Sequence, residues 1–279
     1  ILDGVYYRAA IDAQKEHPLD GLVRARLSDY QARGVCLLRD GGDAWGVSLR
    51  ARELAGGYGI DYRSPAFPIY RRGHYGAFIG RGFDTEDEYR ALLDEAGEKR
   101  ADFIKLMISG LIDFDHFGVL TEPGPEPQDI RRMIELAHAA GFAVMAHANG
   151  DRAVMAALQA GVDSIEHGAY LSESVLLRMA QQRTLWVPTL STIADLIGCG
   201  RYPDEILHRL LAGQQEAVVF AAAQGAAIGC GSDAGAYRVF HGKGTQDEHA
   251  LLAEALGERA PQLLAYAQGQ IKRKFRFYD

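Results

Sequence analysis

The sequence predicts an α/β protein built as a (β/α)8, TIM-like barrel, and three observations carry that expectation. Short β-rich runs alternate with longer helical patterns from about residue 34 onward, an order produced by parallel βα units rather than by hairpins. Gly141, Gly161 and Gly225 each stand between a helical pattern and the next apolar run, where a helix needs a residue tolerant of the left-handed conformation before the chain turns into a strand. Polar residues recur at the C-terminal ends of the apolar runs, where barrels assemble their sites. A doubly wound open sheet shares the alternation and is the alternative architecture.

Taken in order, strands are expected at 34–39, 64–69, 103–109, 143–147, 164–167, 185–190 and 227–231. Helices are expected between them at 46–55, 86–99, 127–140, 152–160, 172–181 and 204–223, with a last one from 246 to about 274. From Pro127 the apolar spacing of Ile130, Ile134 and Ala137, with His138 beside them, marks one buried stripe. The charged stretch at 86–98 reads as a solvated helix face. Residues 1–33 read as a loop and a helix, so seven strands are found where a barrel needs eight. The first strand is therefore expected before Ile1. No β-sandwich is expected after the last helix, and residues 1–279 are read as a single domain.

Composition narrows the function classes. A formal net charge of -7 with scattered basic residues gives no sign of a nucleic-acid footprint, and no apolar stretch reaches the length that spans a membrane. Cys36, Cys199 and Cys230 are widely separated and lack any CxxC spacing, which argues against a disulfide framework and a thiolate zinc site and for a reducing, cytoplasmic setting. The chain opens at Ile1 with no targeting segment. The partner this composition suits is a small-molecule substrate; a homo-oligomer is compatible with it.

Lys105 is the residue that points to chemistry. It lies inside the apolar run from Asp102 to Ser109, where an unpaired ammonium is costly, so burial demands a neutral amine or a charged partner. His147 and His167 end the next two expected strands, and Asp233 follows the last in Gly231-Ser232-Asp233-Ala234-Gly235. Singly, each has a plainer reading: a strand-end His is more often a hydrogen-bonded core residue, and an Asp after Gly-Ser is usually a turn or helix cap. Four at equivalent places on one rim would form a nitrogen and oxygen site suited to zinc or another borderline divalent metal.

The sequence resembles the amidohydrolase superfamily in its imidazolonepropionase-like and Xaa-Pro-dipeptidase-like branch. The matching phrases are Phe103-Ile104-Lys105-Leu106-Met107, the block from Met145 through His147 to Gly168, Val187-Pro188-Thr189-Leu190, and Gly231 to Gly235. The resemblance implies metal-dependent hydrolysis of a carbon-nitrogen bond, in a dipeptide-like or cyclic amide, by a metal-bridging hydroxide. It implies that Lys105 is carboxylated by carbon dioxide and bridges two divalent metals, that His147 and His167 bind the second metal, and that Asp233 binds the first and handles the proton. Carboxylation would turn a costly buried cation into a two-oxygen anionic ligand, and two cations lower the pKa of a shared water. The family's His-x-His is absent, since no two of the nine histidines are separated by one residue. The expectation is that this strand precedes Ile1. The competing readings are a mononuclear ring deaminase and a catalytically inactive ligand-binding barrel.

Asn149, Tyr170, Tyr237 and His241 follow expected strands and would reach substrate from the catalytic face, with loop solvation as the plainer role. His74 lies in a glycine-rich loop that lacks dinucleotide spacing. His17, His116, His138, His208 and His249 read as ordinary surface or half-buried residues. Arg39 and Asp40 read as structural or as supports behind the site residues. No Gly-x-Ser-x-Gly elbow supports a serine nucleophile.

Overall fold

The computed structural model describes residues 5–276; the expected strand before Ile1 and the chain end at Asp279 lie outside them. The strands are β1 Leu37–Arg39, β2 Asp61–Arg63, β3 Pro68–Arg71, β4 Arg81–Phe83 and β5 Ile104–Met107. They continue with β6 Val144–Ala148, β7 Ser164–His167, β8 Leu185–Val187 and β9 Ala227–Ile228. Helices α1 Tyr7–Gln14 and α2 Asp20–Gln31 precede β1, and α3 Val47–Ala55, α4 Glu86–Glu98, α5 Pro127–Ala139 and α6 Gly150–Gln159 follow in the first half. The second half adds α7 Glu173–Gln182, α8 Ser191–Ala194, α9 Asp204–Ala223, α10 Lys243–Leu256 and α11 Ala260–Lys274.

Each strand expected from the sequence has a counterpart: β7 has the expected bounds, β3 and β6 run past the expected ends by two residues and one, the others are shorter, and β2 and β4 are additional. Both extra strands carry charged residues, Asp61, Arg63 and Arg81, so no apolar run announces them. The run expected at 64–69 is delayed because Ala66 takes a left-handed φ of 64°, which separates β2 from β3. The single helix expected at 246–274 is two, parted at Gly257 with φ 57°. Gly141, Gly161 and Gly225 do hold left-handed φ values of 85°, 78° and 90° at their helix ends.

All ladders are parallel. Seven strands form one sheet in the order β4-β3-β5-β6-β7-β8-β9, and β1 pairs with β2 in a second sheet. Ser64 joins the two: its carbonyl accepts from Asp102 N at 2.8 Å, and its own N–H donates to the Asp102 carboxylate at 2.9 Å. The hydrogen-bonded ladders do not close on themselves among the described residues; α11 packs against β9 on that side.

The pleat sorts side chains between two cores. Ile104, Leu106, Val144, Ala146, Ile165 and Trp186 join the larger core, which α4, α5, α6 and α7 cover. Phe103, Met145, Leu185, Val187 and Ala227 belong to an inner cluster with Leu37 and Phe275. Lys105 and His147 share the parity of Phe103 and Met145, so the pleat points them inside the barrel. Among the described residues no helix is long and apolar enough to cross a membrane.

Candidate active site

The inward-facing residues border a cavity of 1230 Å³ whose wall includes Lys105, His147, His167 and Asp233. Register sets their spacing: Lys105 pairs with Met145, Met107 with His147 and Ala148 with His167. Four residues far apart in sequence thus meet at one rim, as the (β/α)8 reading requires.

Lys105 is 6% exposed. Burial pulls its pKa down, against the pull of Glu166 and Asp233, which favour the ammonium. Among the described residues its amine has no hydrogen-bond or ion-pair partner. Glu166 is instead held by Arg39, whose Nη2 donates to both carboxylate oxygens at 2.9 and 3.0 Å, while Ser164 Oγ donates to Oε1 at 2.6 Å. The Arg39 guanidinium also lies 4.3 Å from the Phe275 ring centroid. Arg39 is therefore structural, as its sequence context suggested.

The two histidines are packed edge to face with centroids 4.6 Å apart. His147 is pushed down to about 3 by burial and then by Lys105, and His167 is held well below its ordinary value by burial and by His147. Both are neutral near pH 7, the state a ligand needs. The Gly110 carbonyl, 3.2 Å from His147 Nε2, can only accept, so Nε2 carries the proton and Nδ1 keeps its lone pair. His167 Nδ1 meets Thr189 Oγ1 at 2.7 Å; donation there leaves Nε2 as the lone-pair atom.

Asp233 is open to the cavity, yet the protein around its carboxyl withdraws it from bulk water and raises it to about 6, with Lys105 opposing and Glu166 adding to the rise. His167, Thr189 and Asp233 all hold positive φ, at 70°, 50° and 53°. Such backbone costs a non-glycine residue about 1–3 kcal/mol and clusters at functional sites. The sequence singled out His167 and Asp233 as candidate ligands but carried no sign of their left-handed backbone.

The remaining expected residues divide. Tyr237 and His241 are on the cavity wall, with His241 Nδ1 3.0 Å from Tyr30 Oη. Asn149 also lies there, but its amide is engaged internally: Nδ2 donates to Gly110 O at 3.1 Å and Oδ1 accepts from Ala169 N at 2.9 Å. Tyr170 turns away into an apolar cluster with Leu196, and its hydroxyl accepts from Gly118 N at 2.9 Å. His249, read as ordinary, borders the cavity. Two residues were missed. Tyr75 stacks on His147 with centroids 4.9 Å apart, and Arg201 lies over the rings of Tyr202 and Tyr237 at 5.1 and 4.7 Å.

Among the described residues, no group of three or more His, Cys, Asp or Glu is disposed to hold a metal. The donor set does fit one once Lys105 is counted. His147 Nδ1, His167 Nε2 and the oxygens of a carboxylated Lys105 make a nitrogen and oxygen set of the kind zinc accepts, with the Asp233 carboxylate alongside.

A model of the amidohydrolase family matches residues 49–256. The chain belongs to the amidohydrolase family. This amidohydrolase is 33% identical over 150 residues to an uncharacterised protein of Mycobacterium tuberculosis, a match covering 52% of the chain and 40% of the relative. It is 29% identical over 164 residues to the ochratoxinase of Aspergillus niger, covering 57% of the chain and 32% of the relative. The matches thus span less than half of these relatives. Among solved structures, a Xaa-Pro dipeptidase with bound methionine in its active site superposes at TM-score 0.72 and 19% identity, over 92% of this chain and 70% of that one. The Aspergillus niger ochratoxinase superposes at 0.69 and 22% identity, over 87% and 61%. These likenesses show the fold, a TIM-like barrel.

Proposed function

We propose that this amidohydrolase cleaves a carbon-nitrogen bond, in a dipeptide-like or cyclic amide, with the help of divalent cations. The observation that carries the reading is the convergence of Lys105, His147, His167 and Asp233 on one cavity. Lys105, as its carboxylated form, would hold one cation together with His147 and His167, and would share a second with Asp233; zinc suits the set best. When bound, the cations supply a water acidified to hydroxide near neutral pH and polarise the scissile carbonyl.

The protein's own residues handle the rest. Two neutral histidines, each fixed by the bond its other ring nitrogen makes, present lone pairs without competing protons at pH 7. Asp233, ionised above about 6, takes the proton of the attacking water and passes it to the leaving nitrogen. The likeness to a Xaa-Pro dipeptidase and to an ochratoxinase supports an amide substrate. Three free thiols support a reducing, cytoplasmic setting.

The test is zinc titration of the full-length protein followed by assay against amides and dipeptides. Hydrolysis that rises to two zinc ions per chain is expected. Saturation at one would sink the binuclear assignment, and no metal-dependent hydrolysis would favour the ligand-binding barrel.

A further inference from the structure

Tyr75 sits against the candidate site with a hydroxyl that no described residue engages. Its ring stacks on His147 at 4.9 Å and 36°, abuts Phe78 at 5.4 Å, and forms part of the cavity wall. Other enclosed tyrosines commit their hydroxyls: Tyr30 to His241, Tyr62 to Asp40, Tyr89 to the Met133 carbonyl, and Tyr170 to Gly118 N. For Tyr75 no hydroxyl partner occurs among the described residues. A phenol mostly withdrawn from water ordinarily finds one, so this donor is left facing the cavity. Asp233 is close enough to act on it electrostatically.

The loop that carries Tyr75 is over-determined. Glu122 grips it from the segment after β5: Oε1 accepts from Tyr75 N at 2.5 Å, and Oε2 meets His74 Nδ1 at 3.0 Å. Gly76 follows with φ 131°, and a Cβ there would come within 2.6 Å of Tyr70 Cβ. The backbone that carries the ring is thus held on both sides of Tyr75. A fixed, unspent donor beside the reacting groups is what electrostatic stabilisation of developing charge needs.

We propose that Tyr75 is a catalytic residue whose hydroxyl donates a hydrogen bond to the carbonyl oxygen of the scissile amide as its carbon becomes tetrahedral. The assignment rests on the hydrolase reading above. Water oxygen bonds to the carbonyl carbon, and the π pair moves onto the carbonyl oxygen, where Tyr75 steadies the charge and keeps its own proton. The water proton goes to Asp233 and then to the nitrogen as the C–N bond breaks. Amide plus water gives carboxylic acid plus amine, and Tyr75 ends as it began.

Tyr75→Phe keeps the stack on His147 and removes only the hydroxyl. In the zinc-loaded full-length protein it is expected to lower kcat about 10²–10³-fold, the usual cost of one such donor, with KM within about threefold. Calorimetric binding supplies a second readout: affinity for a phosphonate analogue of the tetrahedral species falls by a similar factor, and affinity for the amine product does not change. Turnover and phosphonate affinity equal to the wild type would overturn the assignment. Loss of both only in Tyr75→Leu would overturn it too, by making the ring a structural wedge. A wild type that hydrolyses no amide is a different failure, that of the hydrolase reading, and phosphonate affinity equal in wild type and Tyr75→Phe would then overturn the donor role as well.

Discussion

Glu248 on α10 offers the sharpest test of the buried electrostatics. Its side chain is 0% exposed; Oε2 accepts from Ser191 N at 2.7 Å, and Oε1 has no partner among the described residues. Burial raises its pKa from 4.5 to about 7, against the lowering effect of the Ser191 and Leu190 N–H groups. Since the folded value lies above the unfolded one, the folded state holds a proton that the unfolded chain has released. The associated stability is complete below 4.5 and disappears as pH rises through about 7. At about 1.4 kcal/mol per pH unit, that interval corresponds to about 3 kcal/mol. Glu248→Gln is neutral throughout. Its extra N–H, placed where Oε1 lacks a partner, costs about 1–3 kcal/mol at every pH alike, so the offset leaves the slope intact. Urea unfolding of metal-stripped wild type and Glu248→Gln from pH 4.5 to 8 should show the variant gaining about 3 kcal/mol relative to wild type across the range. Parallel profiles would refute the reasoning.

Other consequences follow from the same groups. Arg39→Met leaves Glu166 buried and uncompensated, so urea unfolding should show a loss of about 3–5 kcal/mol, much of it recovered when Glu166 is also made apolar. Zinc affinity of the stripped protein, measured by chelator competition, should fall as pH drops through about 6, where Asp233 takes up a proton; Asp233→Asn should remove that part of the dependence, because the histidines stay neutral there. Arg201 is exposed at the cavity wall over Tyr202 and Tyr237, where, on the proposed dipeptide-like substrate, it would meet the carboxylate. Arg201→Met should raise KM for N-acyl amino acids about 10–100-fold and leave their carboxamides unchanged, since a charge-assisted hydrogen bond contributes about 1.5–3 kcal/mol.

The barrel was legible because its central strands are buried on both faces. Every residue of Ile104–Met107 and Val144–Ala148 is buried, which leaves continuous apolar runs in the sequence. A lysine or histidine inside such a run stands out, and Lys105 and His147 did. Strands β2 and β4 left no such trace, because Asp61, Arg63 and Arg81 reach solvent or ion pairs and the pairing is dictated by neighbouring strands. Tyr170 was misleading for a related reason: its position after a strand is visible, but φ 59° and the Gly118 bond decide which way the ring turns.

What a linear reading could not reach is the set of constraints that make the strand-end residues precise. Tyr75 is fixed by Glu122, 47 residues away, and Glu248 reaches Ser191 across 57 residues. Ser191 in turn lies two residues beyond Thr189, the partner of His167. Strand parity therefore brings the four candidate ligands to one rim, and loop contacts of long sequence separation determine how closely that rim is held. On the hydrolase reading, changes at Lys105 or Asp233 should abolish the chemistry. Changes at Glu122 or Glu248 should leave the site present but slacken it, and that difference in kind separates the residues that carry the chemistry from those that hold them in place.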